Sequence, residues 1–112
     1  YVPDGAEKAV NAISFTERDA VPILSGNVWL DIMKRGVSKG NAIRKIRDIY
    51  GIKREECAAF GDYMNDYEML RECGESYAMA NAYPELKKIC KYECKSNNEY
   101  GVTEKIKEIF GI

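Results

Sequence analysis

The run Gly61-Asp62-Tyr63-Met64-Asn65-Asp66 puts two carboxylates and a carboxamide within one short segment. It follows directly on Cys57-Ala58-Ala59-Phe60, an apolar stretch that suits a strand buried on both faces. Crowded carboxylates repel unless a cation lies between them, and oxygen ligands with room for water suit Mg²⁺. The plainer alternative is a loop and a cap, in which Gly61 turns the chain and Asn65 or Asp66 caps the next helix. Lys39 is the second candidate. It stands between Ser38 and Gly40 at the mouth of a helix, where its charge has the wrong sign for the helix dipole. A lysine beside free backbone N–H groups is one way to hold a phosphate. The order Ser-Lys-Gly differs from a nucleotide-triphosphate loop, and an ordinary surface lysine is the alternative. Asn81, and the group Asn97, Asn98 and Glu99, are further polar clusters, for which loop polarity is the alternative.

Composition narrows the chemistry. The chain has 112 residues and no histidine, which excludes a Ser-His-Asp or Cys-His apparatus and any His-ligated metal in this sequence. With 17 basic and 18 acidic side chains the formal net charge is −1, against a nucleic-acid surface or a polybasic membrane tether. No apolar run approaches the roughly 20 residues of a membrane span. Cys57, Cys73, Cys90 and Cys94 form no C-x-x-C pair, so they read as reduced structural thiols of a cytoplasmic protein.

The elements that must position these residues follow from periodicity. Residues 1–34 read as helix, strand, strand: a helix over Glu7–Phe15, then runs Val21–Ser25 and Val28–Met33 joined by Gly26-Asn27, a two-residue hairpin signal. Trp29 falls in the second run and reads as packing. After a turn-rich junction, Ala42, Ile43, Ile46, Ile49 and Tyr50 mark one helix face, with Gly51 as its stop. Strand, helix, strand, helix, strand and helix follow, over about 57–60, 66–73, 76–80, 84–90, 92–95 and 102–110. Such alternation implies right-handed crossovers and a parallel sheet covered on both faces, with ligands beyond the carboxyl ends of the strands. That rule selects the loops after Phe60, Ala80 and Lys95.

Several strings occur in a telling order. They are Val37-Ser38-Lys39-Gly40, then Gly61-Asp62-x-x-Asn65-Asp66-x-x-Met69-Leu70, then Ala78-Met79-Ala80-Asn81-Ala82 with Glu85-Leu86-Lys87, and finally Asn97-x-Glu99-x-Gly101-Val102. The succession resembles the C-terminal half of the Cof-type sugar-phosphate phosphatases of the haloacid dehalogenase (HAD) superfamily. The resemblance implies an α/β fold: the second half of a doubly wound, Rossmannoid HAD-like core (residues 35–112), preceded by the closing helix-strand-strand of an inserted α/β cap (residues 1–34). It implies an Mg²⁺-dependent phosphatase acting on a small phosphorylated metabolite. In that reading Lys39 is catalytic and binds phosphate, Asp62 is catalytic and ligates Mg²⁺, Asn65 contacts the phosphate, and Asp66 supports the metal, with Gly61 and Asn81 as accessory positions. Phosphoryl transfer would go to an Asp nucleophile in an Asp-x-Asp motif, yet no two aspartates here stand two apart. The chain also begins at Tyr1. It is therefore expected to be a fragment, inactive alone, with an open sheet edge through which it could self-associate. The alternative is a non-catalytic, truncated HAD-like domain with residual metal or phosphate binding, or an assembly role. No nucleic-acid or membrane partner is expected.

Overall fold

Ser38 starts the longest helix because its hydroxyl accepts the Asn41 N–H at 3.1 Å, satisfying one of the donors that a helix start leaves open. In this computed structural model, which describes residues 1–12 and 20–112, the helix is α2, Lys39–Tyr50, ending at Gly51. The spacing predicted its first turn two residues later, so Lys39 lies inside the helix rather than in the junction before it.

Two sheets form. Strands β1 (Ala20–Leu24) and β2 (Leu30–Lys34) pair antiparallel, with Leu24 opposite Leu30. The connection is therefore residues 25–29, not the two-residue Gly26-Asn27 turn that the sequence signals. The carbonyls of Asn27 and Val28 are occupied elsewhere: they accept the N–H groups of Ala6 (2.8 Å) and Val2 (2.7 Å). Those bonds tie the hairpin loop to the start of helix α1 (Ala6–Ala12). Trp29 consequently sits in the loop, 55% exposed against Tyr1, and not among strand packing positions. The rest of the helix predicted through Phe15 lies outside the described residues.

The second sheet is parallel, in the order β3 (Ala58–Gly61), β4 (Glu75–Met79), β5 (Tyr92–Cys94). Helix α3 (Tyr67–Glu72) links β3 to β4, α4 (Pro84–Ile89) links β4 to β5, and α5 (Gly101–Phe110) follows. This is an α/β architecture with parallel strands and intervening helices, as the alternation predicts. Leu70 of α3 and Leu86 of α4 are 1% and 0% exposed at the centre of the core, each contributing about 2 kcal/mol by burial. Leu70 reaches the face that carries Gly61. By alternation Phe60 points the other way, and its ring stacks on Tyr77 (4.8 Å), which stacks on Tyr92 (5.1 Å). The Lys105 ammonium of α5 lies over Tyr77 on that side.

Among the described residues strand β3 is the edge of its sheet, the open edge expected above, so a strand whose composition suits burial on both faces leaves Ala58 exposed and Phe60 only half-buried. The predicted apolar face of α2 is likewise partly bare. Ile43 packs on the core, while Ile49 and Tyr50 are 75% and 74% exposed. Phe110 of α5 is also exposed.

Candidate active site

The site begins where β3 ends. Gly61 has no side chain to spare: a Cβ there would stand 2.7 Å from the Asp66 Cβ and 2.9 Å from the Leu70 Cδ1. That close approach lets the 3₁₀ turn Met64–Asp66 fold back beneath the strand end. Asp66, 6% exposed, then accepts the Asp62 N–H on Oδ2 at 3.1 Å. It does not cap α3, which has no side-chain cap. The Asp62 carbonyl accepts the Tyr83 N–H at 2.7 Å. Both peptide groups of Asp62 are thereby fixed, and its half-buried carboxylate makes no hydrogen bond or ion pair among the described residues.

Lys39 arrives from the other direction. Its neighbour Gly40 is buried, and a Cβ there would meet the Glu68 Cβ at 2.5 Å and the Glu68 carbonyl carbon at 2.8 Å. Only glycine allows the first turn of α2 to abut α3 this closely. The approach brings the Lys39 ammonium onto Asp66 Oδ1 in an ion pair. One turn and more along, Arg44 and Arg47 both reach the Glu72 carboxylate, Arg47 at 3.2 Å, and Arg47 also donates to the Glu72 carbonyl at 3.2 Å. The Arg44 hydrogen bond holds the Glu72 carboxyl below the usual carboxylate range, against the opposing effect of burial. Lys39, Asp66 and Asp62 thus form one chain of contacts, with the Lys39 side chain about half in solvent.

The remaining predicted residues are placed less centrally. Asn65 is half-buried and lines a cavity of about 460 Å³ together with Val10, Ile23, Ser38 and Met64, between the hairpin and α2. Neither Lys39 nor Asp62 lines it. Asn81 is exposed after β4, and its Oδ1 accepts the Asn97 N–H at 3.4 Å, joining the loops after β4 and β5.

Tyr63 and Tyr83 belong to no sequence motif, yet the structure brings them together. Their rings stand 5.3 Å apart, tilted by 44°. Tyr63 donates to Asn27 Oδ1 at 2.5 Å, and Tyr83 donates to Glu7 Oε1 at 3.1 Å. The Glu7 carboxylate, by its hydrogen bond, pushes the Tyr83 hydroxyl above its usual range, and burial does the same to Tyr63. Nothing in the spacing of eight tyrosines singles these two out.

No group of three His, Cys, Asp or Glu side chains among the described residues is arranged to hold a metal ion. Both oxygens of Asp66 are engaged, so Asp62 offers the available carboxylate. One carboxylate fits Mg²⁺ as a contributing ligand, because Mg²⁺ retains waters and is bound through one or two carboxylates plus substrate phosphate.

As a whole, the parallel-sheet architecture and the sequence match known proteins. The chain belongs to the haloacid dehalogenase-like hydrolase family, whose pattern matches residues 6–106. It is 39% identical over 89 residues to the 5-amino-6-(5-phospho-D-ribitylamino)uracil phosphatase YbjI of Escherichia coli, covering 80% of this chain and 33% of that protein. It is 35% identical over 99 residues to a phosphoglycolate phosphatase of Metallosphaera sedula, covering 88% of this chain and 45% of that one. Among solved structures, the SMU.1108c protein of Streptococcus mutans superposes with a TM-score of 0.87 at 34% identity, covering 96% of this chain and 41% of that one. A HAD subclass IIB sugar phosphatase superposes with a TM-score of 0.72 at 27% identity, covering 95% of this chain and 39% of that one. The chain therefore spans less than half the length of these relatives. All four cysteines carry free thiols, and no helix among the described residues is long and apolar enough to cross a membrane.

Proposed function

We propose that this chain supplies the charge-handling half of a phosphatase site that hydrolyses phosphate monoesters of small metabolites, sugar phosphates or compounds like them. The observation that carries the reading is the Lys39–Asp66–Asp62 chain of contacts at the carboxyl end of β3. The phosphatase names of its relatives support it. Residues 1–34, with their own two-stranded sheet, form the closing part of a cap, and residues 35–112 form part of the core.

Each residue's task follows from its setting. Asp66 is buried, ion-paired with Lys39 and hydrogen-bonded by the Asp62 N–H, so it acts by holding Lys39 and the Asp62 backbone in place. The Lys39 ammonium, half in solvent, has further N–H donors to give to a phosphate oxygen. The Asp62 carboxylate is fixed through its own backbone and directed to a metal ligand's role. Bound Mg²⁺ would supply neutralisation of charge on the phosphoryl oxygens. Asn65 offers its carboxamide to the phosphate from the cavity side, and Gly61 and Asn81 shape the two strand-end loops. The nucleophilic aspartate is contributed by the rest of a longer protein, since Asp62 and Asp66 are the carboxylates of this loop and both are committed. Four free thiols support a reducing compartment, the cytoplasm.

Titration of the chain with Mg²⁺ and inorganic phosphate, followed by amide NMR shifts, tests the reading. Shifts should centre on residues 38–41 and 61–66, with the metal response lost in Asp62→Asn and the phosphate response lost in Lys39→Met. Responses that survive both substitutions would refute it.

A further inference from the structure

Among the described residues, the hydrogen bonds between residues 1–34 and the strand-end loops come from two side chains. Tyr63 immediately follows Asp62 and donates to Asn27 in the hairpin loop. Tyr83 sits in the loop after β4 and donates to Glu7 in α1. The two acceptors belong to one local unit, because the carbonyl of Asn27 accepts the N–H of Ala6, the residue before Glu7. The two donors also belong to one unit. Their rings are in contact at 5.3 Å, and the Tyr83 N–H bonds the Asp62 carbonyl at 2.7 Å. A closed circuit results: Asn27 to Tyr63, Tyr63 to Tyr83, Tyr83 to Glu7, and Glu7 through α1 back to Asn27.

We propose that Tyr63 and Tyr83 act together as a clasp that seats residues 1–34 on the core and, through the Tyr83–Asp62 backbone bond, couples that seating to the placement of Asp62. They are positioning residues, since neither is needed to touch a reacting atom. The physical content is coupling. Freeing either hydroxyl removes one link of the circuit, and the ring contact and backbone bond transmit the loss to the other. The seating of the N-terminal unit and the order of the Asp62 loop then change together. A clasp confined to packing would leave Asp62 untouched. The consequence for turnover rests on the phosphatase reading above, whereas the structural consequence does not.

Hydrogen exchange measured by mass spectrometry on the full-length protein tests this directly. Tyr63→Phe and Tyr83→Phe should each raise exchange about fivefold in peptides covering both 25–30 and 59–66, the scale of one lost hydrogen bond. A peptide covering 75–79, in strand β4, should not change. The double variant should add little to either single one, because a circuit broken once is already open. Asn27→Ala and Glu7→Ala remove the acceptors from the opposite side and should raise exchange over 59–66 although they lie outside it. They also carry the test should a tyrosine variant loosen β4. In phosphate-ester turnover the clasp variants should raise KM and lower kcat together, with Tyr83→Phe partly restored by Tyr83→His, which keeps a ring and a donor. Exchange changes confined to the peptide that contains each substitution, or fully additive effects in the double variant, would overturn the clasp. Absence of phosphate-ester turnover in the native protein, with the exchange pattern as expected, would overturn the phosphatase reading and leave the clasp standing.

Discussion

Replacing Asp66 by Asn should uncouple Lys39 from the Asp62 loop without altering the shape of the side chain. In the native site one carboxylate oxygen takes the Lys39 ammonium and the other takes the Asp62 N–H at 3.1 Å. A carboxamide has a single oxygen, so two donors compete for it and one meets an NH₂ group. The Lys39 side chain is half in solvent and can turn to water, so its ion pair is worth only the surface value of about 0.2–1 kcal/mol. The oxygen therefore stays with Asp62, and Asp66→Asn should cost about 1 kcal/mol, the sum of that pair and a weakened backbone bond. Asp66→Ala also strands the Asp62 N–H in a partly buried place, which adds about 1–3 kcal/mol. The Ala variant should thus be clearly worse than the Asn variant. Urea unfolding measures both, and the Asp62 amide resonance should move more in the Ala variant. Combining each substitution with Lys39→Met isolates the ion pair. An Asn variant as damaged as the Ala variant would show that charge, not the acceptor for Asp62, dominates. An Ala variant losing under about 0.5 kcal/mol would show that Asp66 does not hold the loop at all.

Two further perturbations follow from the same packing. Gly40→Ala drives a Cβ into Glu68, 2.5 Å from its Cβ, and should cost about 1–3 kcal/mol while separating Lys39 from Asp66, visible in the melting temperature and in Lys39 side-chain NMR. Glu72 has its folded-state pKa depressed by Arg44, so its contribution is present above the ordinary carboxylate range and is lost as pH falls through the folded value. Acid titration followed by exchange at the α2–α3 contact should show that loss, and Glu72→Gln should remove that pH dependence; an unchanged acid profile in Glu72→Gln would contradict the assignment.

The strand-end placement of the candidate residues is legible because its signals are local. The alternation of strands and helices points to a parallel sheet and thus to the loops that hold Asp62 and Asn81. The face formed by Ile43, Ile46 and Ile49 identifies α2. What that periodicity cannot report is the covering: it groups Ile49 and Tyr50 with Ile43, and Phe110 with Val102, but does not show that of these only Ile43 and Val102 pack on the core while the others stand exposed. Nor does apolar composition distinguish the edge strand β3 from a central one. The hairpin was misread for a similar reason. Val28 has strand character, yet its carbonyl serves Val2, some 26 residues away, and no local pattern carries that contact. The pairing of Lys39 with Asp66 and the role of Gly40 likewise depend on α2 meeting α3, with partners 27 and 28 residues apart in sequence. Residue chemistry at a strand end and a helix mouth nominates Asp62 and Lys39 and the family resemblance supplies their roles, whereas the Tyr63–Tyr83 contacts, reaching 36 and 76 residues back, emerge only in three dimensions.

The most direct test of the central claim is p-nitrophenyl phosphate hydrolysis by the full-length protein, with and without a chelator, comparing the native sequence with Asp62→Ala and Lys39→Ala. Chelator-sensitive turnover is expected in the native protein, with a fall of at least about 10²–10³-fold in each variant, the scale of removing one preorganised charge-stabilising group. Turnover that persists undiminished in both variants would contradict the claim.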